Sequence, residues 1–240
     1  MVPVLQTAWT DNVKRLVSNR LVGQFVISWA ESCDRSTGSD GRMKEEMEYV
    51  QGPGLKNRSY RGYDESVTFT REDLLEYVDL ARLCPSGANL QGLKYYLVYE
   101  KEAVEALLPY THFAAALPQL HLPRTGSHPT AFIVICQDLN ITENLARLQK
   151  DIGIVAQTML LYAAEQGLGG LMIGNFELGH VKETCGLPDY LTPVLVVALG
   201  KPAEKIVLVD VSENGDTNYY RDDQDVHYVP KRKLSDVVIN

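Results

Sequence analysis

The chain has 240 residues, 45% of them hydrophobic and 22% charged, and its formal net charge is −8 at pH 7. This length and composition predict a soluble globular protein with one large domain or two small ones. Because positive charge is scarce, a nucleic-acid-binding stripe is not expected. Short cationic clusters in such a chain instead favour a small phosphate-bearing ligand.

The cysteines and histidines indicate the compartment and argue against a metal site. Cys33, Cys84, Cys136 and Cys185 are widely spaced and form no C-x-x-C pair. This spacing predicts reduced thiols in a cytoplasmic protein. The five histidines form no short-spaced pair, so no metal site is expected. The apolar run at residues 21–30 is too short for a bilayer-spanning helix, which needs about 20 residues.

The first 42 residues differ in composition from the rest of the chain. They include the linker-like run at residues 36–41, and a strongly charged segment begins at Met43. Two interpretations stay open: residues 1–42 are a disordered peripheral extension, or they arise from an upstream start codon. In either case the functional domain is predicted to cover residues 43–240.

The first strong helix signal begins at Thr70. The run Thr70-Arg71-Glu72-Asp73 resembles a capping box, and apolar residues follow it at helical spacing as far as the turn at Pro85. Residues 94–99 and 131–136 are short and rich in aromatic and β-branched residues, which predicts two strands.

A second helix is predicted from Thr142 to Gln166, ending at Gly167. Its second half, residues 152–164, is apolar nearly all round, which predicts burial on every side, in the core or between subunits. Gly153 within that half indicates a close backbone approach.

The last third of the chain is predicted to be mainly β. Residues 194–199 form an apolar strand, and residues 205–211 and 218–229 flank an Asn-Gly turn signal typical of a hairpin. The Gly-rich run at residues 167–175 is predicted to be a loop that lies against a flat ring. Because Met172 stands where a third glycine is required, this run does not match G-x-G-x-x-G. The strands do not alternate with long helices, so the fold class is predicted to be α+β.

Three segments carry polar residues suited to one ligand. Arg58, Ser59 and Arg61 could bind phosphate or a conjugated carbonyl, with alternation placing Arg58 on the opposite side from the other two. Lys231 and Lys233 are predicted to share one face. Surface solvation of the basic residues and simple turn chemistry in the Pro85–Asn89 loop are the alternatives. No nucleophile or general-base pair is evident, which favours chemistry carried by a cofactor such as a flavin.

These segments together resemble the nitroreductase-like family of FMN-dependent oxidoreductases. The similar motifs are Arg58-Ser59-x-Arg61, the run from Pro85 to Gln91, Asp151-Ile152-Gly153 leading into the Gly-rich run, and Pro230-Lys231-x-Lys233. The resemblance covers roughly residues 55–240. It implies a mixed, mostly antiparallel sheet flanked by helices, in an intertwined homodimer with FMN at the subunit interface.

The resemblance also implies an activity and a set of cofactor-binding residues. NAD(P)H would reduce the flavin at N5, and a small electron-poor acceptor, such as a nitroaromatic or quinone, would then be reduced in a ping-pong cycle. Arg58, Ser59 and Arg61 would contact the phosphate, ribityl chain or pyrimidine edge. The remaining residues that the resemblance implies are Lys231 and Lys233 at the phosphate, Pro85, Ser86 and Asn89 reaching the partner subunit's flavin, and Ile173 and Gly174 beside N5.

Two departures from the family pattern and two other functions remain open. Asn57 stands where the family often has a second arginine, and Gly92-Leu93 replaces an aromatic position. The alternatives are a specialised chemistry, such as reductive dehalogenation or azoline oxidation, and a flavin-binding regulatory module without turnover.

Overall fold

The computed structural model describes residues 52–114 and 117–240. The predicted extension at residues 1–42 and the predicted domain start at residue 43 lie outside the described residues. Within the described part of the chain, no helix has both the length and the hydropathy needed to cross a membrane.

Five helices and eight strands are numbered here in chain order. A short helical stretch at residues 52–56 precedes them. The helices are α1 (Arg71–Arg82), α2 (Lys101–Leu107), α3 (Gln149–Glu165), α4 (Leu178–Thr184) and α5 (Leu234–Val237). The strands are β1 (Tyr63–Asp64), β2 (Leu93–Val98), β3 (Ala131–Asp138), β4 (Gly169–Ile173), β5 (Leu191–Pro202), β6 (Ile206–Asp210), β7 (Tyr220–Arg221) and β8 (His227–Lys231).

The main sheet is built around β5, its longest strand. β5 pairs antiparallel with β1, β3 and β4, and β3 pairs antiparallel with β2. A separate three-stranded sheet has β8 in its centre, parallel to β6 and antiparallel to β7. The predicted α+β class with mostly antiparallel strands is therefore confirmed.

The core lies on both faces of the main sheet. Every residue of β3 is buried, and its side chains alternate between two apolar clusters. Phe132 and Val134 belong to one cluster, and Ile133 and Ile135 belong to the other. Because strand side chains alternate between faces, a strand apolar at successive positions must be covered on both sides.

The predicted start of α1 is confirmed in detail. The Thr70 Oγ1 accepts a hydrogen bond from the Asp73 backbone N–H at 3.1 Å, and Asp73 Oδ2 accepts from the Thr70 N–H at 2.7 Å. This reciprocal pair satisfies two backbone donors at the helix terminus.

The second predicted helix begins later than expected. It starts at Gln149, whereas residues 145–147 form a 3₁₀ turn. The Asn144 Oδ1 accepts from the Ala146 N–H at 3.1 Å, so this side chain offers the backbone an alternative to the α-helix. The predicted end is confirmed, because Gly167 follows the helix with a φ of +70°.

α3 is not buried on every side in the core of the single chain, so that alternative is wrong, and burial between subunits stays a prediction. Met159 is fully buried, but Ile154 is 38% exposed and Gly153 is also exposed. A Cβ built on Gly153 would meet nothing within 4 Å, so the predicted close backbone approach does not occur within the single chain. The apolar exposed face of α3 has no cover among the described residues.

The hairpin predicted for the last third of the chain is also wrong. The hairpin across Asn214-Gly215 does not form, although Gly215 adopts the positive φ of a turn. β6 instead pairs in parallel with β8, and the hairpin partner of β8 is the short β7. Parallel pairing requires a connection longer than a tight turn, and residues 211–226 provide it.

The Gly-rich run is largely a strand and not a loop. Gly169 and Gly170 lie in β4, paired with β5. A Cβ at Gly170 would overlap the carbonyl oxygen of Ala198, and one at Gly169 would lie 2.5 Å from a Tyr60 ring carbon. Close packing within the protein therefore requires these glycines, and a flat ligand is not needed to explain them.

Candidate functional site

A cavity of about 430 Å³ lies where the segment after residue 56 meets α3, β4 and the three-stranded sheet. Its polar lining is mostly cationic or neutral. The lining residues are Asn57, Arg58, Ser59, Arg61, Gln157, Leu160, Met172, Ile206, Tyr219, His227, Val229 and Lys231. The structure thus brings together four of the predicted site residues, Arg58, Ser59, Arg61 and Lys231.

The segment from residue 57 to residue 62 is held in place by β4. Ser59 forms an isolated parallel bridge with Gly170, and the Tyr60 N–H donates to the Gly170 carbonyl at 3.1 Å. The segment is not a regular strand, so strict alternation does not apply to it. The expectation that Arg58 would lie opposite Ser59 and Arg61 is therefore wrong, because all three line the cavity.

The guanidinium of Arg61 is fixed by neutral groups. Its Nη1 donates to the Ser59 carbonyl at 3.0 Å and lies 3.3 Å from His227 Nε2. The Tyr219 ring covers one face of the guanidinium, with 4.8 Å between Cζ and the ring centroid. The Nε of Arg61 is buried and has no hydrogen-bond partner.

His227 is buried and neutral beside Arg61. Burial first, and then the charges of Arg61 and Arg221, lower the pKa of His227 from 6.5 to about 4. Arginine carries only donors, so Nε2 of His227 must be the acceptor in this contact. The ring hydrogen is therefore assigned to Nδ1, which is buried and has no hydrogen-bond partner.

Arg58 resembles Arg61 in its surroundings. Its Nη2 donates to the Gly54 carbonyl at 2.6 Å, and its Nε is buried without a partner. Among the described residues, no carboxylate lies within ion-pairing distance of either guanidinium. A buried guanidinium N–H without a partner is costly, so both arginines are suited to an anionic ligand in the cavity.

A buried ion pair between Glu204 and Arg221 fixes the main chain of Arg61 beside the cavity. The carboxylate of Glu204 accepts from the backbone N–H of Arg61 and from Arg221 Nη2, and the Glu204 and Arg221 side chains are each 5% exposed. Arg221 Nη1 also donates to Asp225 at 3.1 Å. Arg221 is thus neutralised within the protein, in contrast to the arginines that line the cavity.

The Pro85–Asn89 loop does not line this cavity, and its polar groups are used locally. The Ser86 hydroxyl donates to Asp151 Oδ2 at 2.7 Å and accepts from the Gln91 N–H at 3.0 Å. Asp151 is buried at the start of α3 and also accepts from the Gly87 N–H. Ala88, Asn89 and Gln91 all have φ above +50°. Such strained backbone persists only where its surroundings fix it, and Asp151 does so here.

The other predicted site residues lie outside the cavity lining of the single chain. Ile173 is buried in the core, and Gly174 follows it at an exposed position. Lys233 is exposed just before α5, and its backbone N–H donates to Asp236 at 3.3 Å. Lys231 lines the cavity and Lys233 does not, because regular β8 ends at Lys231.

Sequence reasoning missed several lining residues. His227 and Tyr219 lie in a segment that was interpreted only as one arm of a hairpin, and a lone histidine there carries no motif. Gln157 is a polar residue in an otherwise apolar half-helix, and that interruption was the one signal available. Among the described residues, no group of three or more His, Cys, Asp or Glu side chains is placed to hold a metal ion.

Comparison with solved structures identifies the class of fold. A protein of Staphylococcus epidermidis that is named an NAD(P)H:FMN oxidoreductase is 19% identical to this chain. Its structure matches with a TM-score of 0.58, covering 80% of this chain and 95% of that one. A protein of Exiguobacterium sibiricum that is named a nitroreductase, solved in complex with FMN, is 21% identical. Its TM-score is 0.52, covering 66% of this chain and 88% of that one. At these identities the likeness establishes the fold alone.

Sequence comparison identifies the family. The model of the Nitroreductase family matches residues 55–201, more than half of the chain. YdgI of Bacillus subtilis, assigned by name to the NAD(P)H nitroreductases, is 23% identical over 190 aligned positions, covering 66% of this chain and 89% of the relative. The chain belongs to the nitroreductase family, and the expected enzyme class, an oxidoreductase, is confirmed at that level.

Proposed function

We propose that the cavity binds FMN and that the protein uses NAD(P)H to reduce small electron-poor organic acceptors. One observation carries the proposal: the guanidinium groups of Arg58 and Arg61, at the cavity, hydrogen-bond only to neutral groups and keep buried N–H donors without partners. Their positive charge is therefore available to an anion. Family membership makes a flavin nucleotide the expected anion.

The residues present fit a flavin nucleotide. Arg58 and Lys231 supply charge for a phosphate, and the Ser59 hydroxyl supplies a neutral hydrogen-bonding group. Leu160, Met172 and Val229 give the same cavity apolar surface for a ring system. When bound, FMN would supply reversible hydride transfer between NAD(P)H and an acceptor such as a nitroaromatic or a quinone. The fixed positive charge of Arg61 would favour the negatively charged form of a bound group.

We further propose that the active form is a homodimer in which a second subunit completes the site. The Pro85–Asn89 loop is held rigid by Asp151 but lies away from the cavity of its own chain. In the dimer, Pro85, Ser86 and Asn89 would approach the partner subunit's flavin. The remaining proposed site residues are Lys233 at the phosphate and Ile173 and Gly174 beside the reactive edge. The free thiols of Cys84, Cys136 and Cys185 support a cytoplasmic location.

Bound flavin and its reduction test the proposed cofactor and activity. The purified protein should be yellow and should bleach when NADH or NADPH is added without oxygen. Colour that persists would indicate a binding module without turnover, and a protein that cannot bind FMN would refute the proposal. A panel of nitroaromatic, quinone, enone and halotyrosine acceptors would separate general reduction from reductive dehalogenation.

A substitution at the cavity tests its location. Arg61→Ala should weaken FMN binding about ten- to hundredfold, because one charge-assisted contact is lost. Arg71→Ala is the matched control, since Arg71 is exposed at the start of α1 and should leave FMN affinity unchanged. Equal affinities for the two variants in a fluorescence titration would remove Arg61 from the site.

A charge on the exposed face of α3 tests the dimer. Ile154 and Ile141 are 38% and 39% exposed in the single chain. Ile154 lies on the uncovered face of α3, whereas Ile141 lies in the connection between β3 and α3. In a two-fold contact the same patch is presented twice, so Ile154→Lys should dissociate the dimer and lower flavin occupancy. Ile141→Lys should do neither. A dimeric, fully flavinated Ile154→Lys variant, by light scattering and absorbance, would contradict this interface.

A further inference from the structure

The guanidinium of Arg61 has one edge held by the protein and one edge without partners. Ser59 O and His227 Nε2 both lie within hydrogen-bonding distance of Nη1, and this nitrogen carries two hydrogens. Nε has no partner, and Nη2 makes no hydrogen bond to any described residue. The Nε–Nη2 edge is therefore a free pair of parallel donors, the geometry that suits a planar or bidentate acceptor.

The contact with His227 depends on a lone pair at Nε2. An imidazolium has a hydrogen on both nitrogens and could not accept from Arg61. The buried surroundings of the ring and the neighbouring charges of Arg61 and Arg221 keep it neutral at pH 7. The position of the ring is itself fixed. The backbone N–H of His227 donates to the Lys205 carbonyl at 2.9 Å, and the Tyr219 and His227 ring centroids lie 5.2 Å apart.

We infer that His227 is a positioning residue, whose Nε2 holds the Arg61 guanidinium so that its Nε–Nη2 edge is presented to the ligand of the cavity. The ring is 1% exposed, so it acts through Arg61 and not by its own contact with the ligand. Ser59 O alone accepts from one hydrogen of Nη1, and the second acceptor fixes the rotation of the group. The inference rests on the proposed function only in taking FMN as the ligand.

Two amide substitutions separate positioning from simple packing. In His227→Gln the side-chain oxygen can reach the location of Nε2 and accept from Arg61. In His227→Asn the side chain is shorter, and its amide reaches only the location of Nδ1. Both variants replace the ring by an uncharged polar group, so a purely structural role predicts similar losses. Positioning predicts FMN affinity near that of the wild type for Gln and about three- to tenfold weaker binding for Asn.

A double-mutant cycle tests whether the effect passes through Arg61. In the Arg61→Ala background, His227→Asn should change the FMN dissociation constant by less than about twofold, because the group to be positioned is absent. A full loss in that background, or equal losses for Gln and Asn, would overturn the inference. Circular dichroism and thermal unfolding identify any variant whose weak binding reflects unfolding.

A measurement without ligand keeps this test separate from that of the proposed function. Nitrogen-15 NMR of the histidine-labelled protein at pH 7 should show His227 with hydrogen on Nδ1 and a bare Nε2. The opposite tautomer would overturn the inference whether or not FMN binds. A bare Nε2 in a protein that binds no FMN would refute the proposed function while leaving the Arg61–His227 contact intact.

Discussion

Lowering the pH should destabilise the protein through His227. Its ring is buried beside Arg61 and Arg221, with Asp225 acting in the opposite direction, and its pKa falls to about 4. In the unfolded chain the same group has a pKa near 6.5. Between these two values the unfolded state binds a proton that the folded state does not, so the free energy of unfolding must fall as the pH falls.

The size of the effect follows from the two pKa values. A drop from 6.5 to about 4 corresponds, at about 1.4 kcal/mol per pKa unit, to about 3 kcal/mol of stability. This stability is fully present above pH 6.5 and is lost progressively toward pH 4. Since domains are commonly stable by about 5–15 kcal/mol, the loss is large enough to measure.

Urea unfolding at several pH values between 4 and 7 measures this stability directly. His227→Gln is the reference, because glutamine does not titrate and every other group remains the same. Between pH 7 and pH 4 the wild type should lose about 3 kcal/mol more than the variant. Parallel pH profiles for the two proteins would show that His227 charges normally in the folded state, and would refute the neutral-histidine argument.

Three further predictions concern the packing of the glycines, the buried Glu204–Arg221 pair and the first 42 residues. Gly170→Ala should destabilise the protein by at least about 2 kcal/mol in urea unfolding, because the added methyl group overlaps a β5 carbonyl oxygen. Gly179→Ala in α4, where the added methyl group meets nothing within 4 Å, should instead stabilise it by up to about 1 kcal/mol; a larger loss for Gly179→Ala than for Gly170→Ala would contradict this packing. Glu204→Ala should cost up to about 3–5 kcal/mol, because the buried Arg221 keeps only the partly exposed Asp225 as a charged partner; a loss below about 1 kcal/mol would show that the Glu204–Arg221 pair contributes little to stability. Deleting residues 1–42 should leave flavin content and NAD(P)H oxidation unchanged, and a colourless or insoluble product would make those residues part of the domain.

Local rules in the sequence predicted the elements that depend on neighbouring residues. The capping box at Thr70 and the end of α3 at Gly167 form as expected, because each needs only a few adjacent groups. The buried strands β3 and β5 are also evident, since apolar, β-branched runs suit strands covered on both faces. In the structure both strands continue for a few residues beyond the predicted segments.

Pairing between distant segments could not be predicted in the same way. β4 contains two glycines that are rare in strands, and only the proximity of Tyr60 and β5 explains them. The parallel contact between β6 and β8 joins residues more than 20 positions apart and has no turn signal. A local Asn-Gly signal was present, but it marks a turn inside the connection and not a hairpin.

In the candidate site, too, some features could be predicted from the sequence and others depend on contacts between distant residues. The convergence of Arg58 and Arg61 with Lys231 on one ligand is predicted from the two basic clusters and supported by the family resemblance, and the cavity brings the three residues together. The contribution of His227 and Tyr219 could not be predicted, because each is a lone residue whose role depends on the orientation of the Arg61 side chain. Contacts of this kind between a guanidinium and neutral groups leave no periodic trace in a sequence.

The placement of Glu204 explains how an acidic protein keeps positive charge available in one cavity. Its carboxylate binds the backbone N–H of Arg61 and leaves the guanidinium to Ser59 and His227. The negative charge of Glu204 is instead paired with Arg221. Had the carboxylate bound the guanidinium of Arg61, that arginine would have been neutralised before any ligand arrived. The structure therefore anchors Arg61 strongly by its main chain while reserving the charge of its side chain for an anion.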